Sequence, residues 1–238
     1  MNDRRAHHLK QFYELLAQLE RKVGGARRLS KCNGRMGWPR SGVYFFRETG
    51  EIRNELGDVP RVVRVGTHAL KAGGKTTLWN RLSQHRGVAS HGGGNHRGSV
   101  FREIVGAALI RRDGWDCPTW GQGNHAPKWI KEAERPLEQA VSGVIGAMPF
   151  LWLAVEDEPG PDSLRGCIER NAIALLSNYQ RETIDLPSPQ WLGSCADSEK
   201  VQQSGLWNSN HVDDNYDPAF LCALQRQIDK MGQAKYGQ

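Results

Sequence analysis

Tyr44 lies in a β-branched and aromatic stretch, Ser41-Gly42-Val43-Tyr44-Phe45-Phe46-Arg47, and Arg64-Val65-Gly66 ends a second one. Arg81 and His85 follow four residues apart, one helical turn, with Leu78 and Leu82 to turn that helix toward a core. Glu169 comes much later, with Ala172 and Ile173 at plus three and plus four on one helix face. A phenol and an imidazole can move protons, a guanidinium can hold an anion, and a carboxylate can hold a cation. Singly, each has a bland reading as strand packing, surface pair or solvated helix face. Their order over four successive elements is the informative feature.

Other groupings carry less. Gly66 to Thr76 (GTHALKAGGKT) ends like a phosphate-binding loop in Gly74-Lys75-Thr76, but that motif needs a glycine where Ala69 stands. The expectation is a flexible basic loop and no nucleotide cofactor. His91, His96, Cys117 and His125 are zinc-ligand types at spacings that match no recognised site. No GxSxG elbow is present, and no cysteine sits in a nucleophile's setting. The eight tryptophans read first as loop anchors and second as base-stacking platforms.

The elements that must position the set can be sketched from pattern. Leu9, Phe12, Leu16, Leu19 and Val23 predict an N-terminal amphipathic helix stopped by Gly24-Gly25. Residues 41–47 and 61–65 predict an antiparallel strand pair, with Thr49-Gly50-Glu51 as turn chemistry after the first. Helices are expected from Thr76 or Thr77 to His85, from Pro127 to about Ile145, from Asp162 or Ser163 to Asn178, and from Asp217 to Lys230. Phe150–Val155 reads as a central strand, while Phe101–Ile110 fits helix or buried strand equally.

The whole chain of 238 residues is 38% hydrophobic and 24% charged, enough for a real core and against wholesale disorder. A net charge of +6 favours a polyanionic partner. Five scattered cysteines without a CxxC pair suggest reduced thiols. No stretch is long and apolar enough to span a bilayer, and no signal peptide opens the chain, so a soluble cytoplasmic protein is expected.

Read together and in order, Gly42-Val43-Tyr44, Arg64-Val65-Gly66, Arg81, His85 and Glu169 resemble the GIY-YIG nuclease family. The resemblance implies an α+β fold, a small three-stranded antiparallel sheet flanked by helices, here with an N-terminal helix, a large insertion and a C-terminal extension. It divides the chain into residues 1–39 (helix and basic linker), 40–215 (nuclease domain, insertion at about 87–129) and 216–238 (C-terminal helix). Family-like segments would cover about 40–86 and 127–178.

The resemblance also implies a metal-dependent endonuclease acting on DNA, most simply double-stranded. Glu169 would hold one Mg²⁺ or Mn²⁺, which stabilises the leaving oxygen as a Lewis acid. Arg81 would pair with the scissile phosphate. Tyr44 and His85 would orient or deprotonate the water, with Arg64 as the cationic neighbour of the phenol. Basic loops 71–75 and 85–97 would meet phosphates.

Two departures stand out. Arg64 replaces the second motif's tyrosine. The family's asparagine is either Asn178, at the end of the Glu169 helix, or Asn208, after Trp207; Asn208 is preferred, leaving 179–203 as an insertion. A catalytically inactive nucleic-acid-binding module with the same fold is the alternative function. Oligomeric state is left open, a homodimer included.

Overall fold

The computed structural model describes residues 2–54 and 58–232. Its centre is a four-stranded antiparallel sheet in the order β1 (Arg27–Arg28), β4 (Pro149–Ala154), β2 (Gly42–Ile52), β3 (Pro60–Gly66). The expected three strands are all present. The fourth, β1, is a two-residue strand whose sequence is too short to show a period, paired through Arg27↔Phe150 and Arg28↔Pro149.

Alternation along β2 sorts the two faces. Phe45 meets Phe12 of α1 (Asn2–Val23) at 5.9 Å between ring centroids. That face is covered by α1 together with α5 (Leu164–Leu176) and α7 (Ala219–Lys230). Tyr44 and Phe46 point the other way, toward α2 (Leu78–Arg86) and α3 (Val100–Asp113), and α4 (Lys128–Ala147) packs on those two helices. With both faces covered, Val43 to Phe46 are fully buried. The stretch therefore reads as a continuous apolar run, as a doubly covered strand should.

Local chemistry fixes the helix ends near the site. Thr77 and Asn80 form a reciprocal capping box on α2, and Gly87 ends it with φ of 81°. Residues 101–110, ambiguous by periodicity, form α3 because Ser99 caps it, its hydroxyl accepting from the Arg102 N–H. Phe101 and Val105 of this segment join the same core as α1, α5 and α7. Within 179–203 the chain forms a short turn of helix at Leu192–Cys195 and α6 (Glu199–Ser204), with Trp191, Leu192 and Val201 buried.

One expected turn lies elsewhere. Thr49-Gly50-Glu51 stays within β2, and the glycine's left-handed φ of 89° falls where the β2–β3 register shifts, between Arg47 and Ile52. A glycine here serves a bulge rather than a reversal. The chain turns back later, where the Arg53 N–H donates to the Val59 carbonyl at 3.0 Å. Among the described residues no helix is long and apolar enough to cross a membrane.

The two motif glycines have a packing reason. A Cβ on Gly42 would lie 2.2 Å from the Leu153 carbonyl of β4, and one on Gly66 would lie 2.2 Å from the Tyr44 phenol oxygen. Tyr44 and Gly66 are register partners, so the ring crosses its neighbour strand where that strand has no side chain. Gly66→Ala should therefore destabilise the fold by about 1–3 kcal/mol through overpacking, read as a lower urea midpoint. An unchanged midpoint would mean that the phenol does not lie there.

Candidate functional site

The far end of β3 is where the elements converge. Tyr44 Oη lies 2.8 Å from His85 Nε2, and His85 Nδ1 lies 2.8 Å from Ser99 Oγ. This chain links β2, α2 and the cap of α3. Both rings are fully buried, and both imidazole nitrogens are hydrogen-bonded. Burial pushes His85 well below the ordinary histidine range, helped by Arg64, Arg81 and Arg102, so the ring is neutral. A proton relay resting on an ordinary histidine pKa does not fit this environment.

Arg64 emerges from β3 with its guanidinium 4.5 Å from the Phe101 ring centroid, donating through Nη1 to the Trp207 carbonyl, while buried Nε has no partner. Burial pulls its pKa down; the adjoining Tyr44 phenol and the Glu169 carboxylate oppose that shift. Arg81, half-buried on α2, makes long contacts from Nη1 to Gln84 Oε1 (3.2 Å) and the Gly98 carbonyl (3.4 Å), and its buried Nε is also unpaired. It lines a cleft of about 380 Å³ with Thr67, His68, Gln84 and Gly98.

Glu169 belongs to α5, which covers the opposite sheet face from α2. It reaches the strand end nevertheless: the Thr67 N–H, one residue past β3, donates to Oε1 at 3.0 Å. No described residue hydrogen-bonds to Oε2. Burial raises the carboxyl pKa, against the pull of Arg64, the Thr67 N–H, His211 and Arg81. Phenol, guanidinia and carboxylate are thus gathered around one strand terminus.

The two candidate asparagines part company. Asn208 is buried beside the site, its Oδ1 accepting from the Val65 N–H (3.1 Å) and its Nδ2 donating to the Val65 carbonyl (2.9 Å). Both ends of its amide are engaged in pinning β3, so it holds the strand rather than offering a free ligand. Asn178 caps a different cluster, accepting from Arg5 Nη2 and the Ile184 N–H.

Some expectations for the surroundings need correcting. In the loop expected to offer basic groups to phosphates, His96 is buried, stacked on Trp120 at 3.9 Å and paired with Glu138 at 3.0 Å. Arg97 is forked onto Glu134. The Arg97 charge is met inside the fold and His96 is enclosed against Glu138, whereas Lys71 and Lys75 stay exposed. Among the described residues, no group of three or more His, Cys, Asp or Glu could share a metal ion.

Residues unnoticed in the sequence also stand here. His68 follows Thr67 in the loop read only as a phosphate-loop look-alike. His211, at a left-handed φ of 63°, is held by Asp214 (2.7 Å) and bears electrostatically on Glu169. The position of His68 two residues after the second motif was the available signal; nothing local marks His211.

Comparison with known families agrees with this geometry. The family model described as the GIY-YIG domain matches residues 3–234, and the chain belongs to that family. The match runs through the segments set apart in the sequence as extensions and insertion. Membership implies nuclease activity in general, in a family whose nucleases act on DNA. No curated protein and no solved structure matches the chain.

The buried histidine gives a signed pH dependence. In the unfolded chain His85 titrates near 6.5, and in the fold well below it, so its contribution is complete above pH 6.5 and is lost as pH falls. The unfolding free energy from urea titrations should drop from pH 7 to pH 5, by at most about 1.4 kcal/mol per pH unit for each such imidazole. His85→Gln should show a shallower dependence than the wild type; equal slopes would place the acid sensitivity elsewhere.

Proposed function

We propose that this GIY-YIG protein is a divalent-metal-dependent endonuclease that hydrolyses DNA phosphodiester bonds at the end of β3. The reading rests on one observation: two arginines, Arg64 and Arg81, each with a buried and unpartnered Nε–H, flank a half-buried carboxylate. Buried donors without acceptors are costly, and a phosphate oxygen is the natural acceptor for them.

The carboxylate suits Mg²⁺ or Mn²⁺. Its Oε1 is oriented by Thr67 and its Oε2 is open, and Mg²⁺ is commonly held by one or two carboxylates plus substrate phosphate and water. Glu169 would hold the ion, which supplies Lewis-acid stabilisation of charge on the leaving oxygen. Around it this chain's own groups do the positioning. Arg81 binds the scissile phosphate from the cleft side. Arg64, anchored on Trp207, adds a fixed positive charge where negative charge grows in the transition state. Tyr44 and His85 keep that architecture in register: the phenol abuts Arg64, and the imidazole, tied to Ser99, fixes the phenol. Asn208 clamps Val65 between Arg64 and Gly66 and so sets where both face. Exposed Lys71 and Lys75 extend the positive rim for flanking phosphates.

Supercoiled plasmid with Mg²⁺ or Mn²⁺ tests the reading. Wild type should cleave it. Arg81→Ala should lose about 10²–10³-fold in rate, as for removal of a transition-state donor, and Glu169→Gln at least as much. Gel shifts should persist in both variants. Uncleaved plasmid with an intact gel shift in the wild type would instead identify a binding module.

A further inference from the structure

With Tyr44 Oη and both nitrogens of His85 already hydrogen-bonded, the attacking water needs an acceptor whose lone pair is unclaimed. His68 has the features of one. Its Nδ1 lies 2.8 Å from the Thr76 carbonyl, which can only accept, so Nδ1 carries the proton and Nε2 bears a bare lone pair. The residue is 6% exposed, yet Nε2 has no partner. Among the described residues the buried unpartnered side-chain acceptors are His68 Nε2 and Asp185 Oδ1, and only His68 lines the cleft that Arg81 lines.

The loop carrying it is rigidly built. Buried Arg165 donates from Nε to the His68 carbonyl (3.1 Å) and from Nη2 to the Ala69 carbonyl (3.0 Å), and is itself ion-paired with Asp157. Ala69 is held at a left-handed φ of 51°, a strained conformation for a residue with a Cβ. Strain held in place by a buried arginine, beside an orphaned acceptor, is what a preorganised site shows. The acceptor calls for a donor, and in a cleft where Arg81 meets a phosphate the fitting donor is a water placed to attack it. Burial, Arg165 and Arg81 together hold the His68 pKa at about 4, so the lone pair is free at neutral pH. A phosphate on Arg81 offsets one of those two cations.

We propose that His68 is a catalytic residue, its Nε2 orienting the attacking water and taking its proton. This rests on the nuclease reading above. The water oxygen bonds to phosphorus as its proton passes to Nε2. The opposite P–O ester bond breaks, its electron pair leaves with the departing oxygen, and that oxygen takes a proton from solvent. Nε2 then returns its proton to solvent.

The test uses the full chain and supercoiled plasmid with Mg²⁺ or Mn²⁺. His68→Ala should cleave about 10²-fold or more slowly than wild type, the range for loss of a general base, with gel-shift affinity in EDTA and thermal midpoint unchanged. His68→Gln, which restores an acceptor but not a base, should stay slow. Added imidazole should restore part of the His68→Ala rate and none of the Glu169→Ala rate. Wild-type cleavage by His68→Ala overturns the proposal. So does a slow variant that imidazole does not rescue while DNA binding or melting has fallen, which marks a structural or base-reading role. A wild type that leaves plasmid intact overturns the nuclease reading, and this one with it.

Discussion

Tyr44 lies across Gly66 because the neighbouring strand presents no side chain there, and its phenol meets His85 at 2.8 Å. Through His85 the contact continues to Ser99, which also caps α3. One ring thus ties β2, β3, α2 and α3 in a space with no solvent to soften a misfit. The end of β3 is set by this arrangement, and every candidate group is referred to that end: Arg64 two residues before Gly66, Thr67 and His68 just after it, Arg81 one turn before His85. A small shift of the phenol would move the two arginines relative to the carboxylate that Thr67 orients.

Charge is treated differently here from elsewhere in the molecule. Arg102 is wrapped by Glu138, Arg97 by Glu134, Arg53 by Asp185 and Arg61 by Glu51, each guanidinium meeting a carboxylate inside the fold. Such pairs hold segments together but offer little to a ligand, since desolvation offsets much of their attraction. Arg64 and Arg81 have no comparable carboxylate fork, and Glu169 is left with one oxygen unclaimed. The surplus of +6 therefore matters less as an average than through the few cations that the fold leaves unneutralised.

Much of this was legible in the sequence where local rules sufficed. Thr77 with Asn80, Ser163 before its helix, Gly87 and the apolar face of α1 announce their elements through caps and period. The order of Tyr44, Arg81, His85 and Glu169 announced the family. What stayed hidden depends on distance along the chain. The bond between Asn208 and Val65 joins residues 143 apart, so the preference for Asn208 over Asn178 could be drawn from its neighbours in sequence, but what Asn208 holds appears only in the fold. Gly50 looked like a turn because a left-handed glycine serves turns and bulges alike. The basic loop of His96 and Arg97 looked free because its acidic partners, Glu134 and Glu138, are a full helix away.

The replacement of a motif tyrosine by Arg64 bears on how protons can move. A phenol at that position could donate or accept; a guanidinium, with no acceptor and a proton it does not release in a protein, can do only the former. It stands against Tyr44, which is enclosed and whose oxygen faces His85, itself held neutral. On the proposed reading, the substitution leaves a fixed cation at the strand end in place of a group that could pass a proton. On that reading a proton must still leave the attacking water, so an acceptor with an unclaimed lone pair must stand nearby and outside the bonded Tyr44–His85 pair. In the cleft shared with Arg81, the imidazole that the Thr76 carbonyl holds in one tautomer meets that requirement.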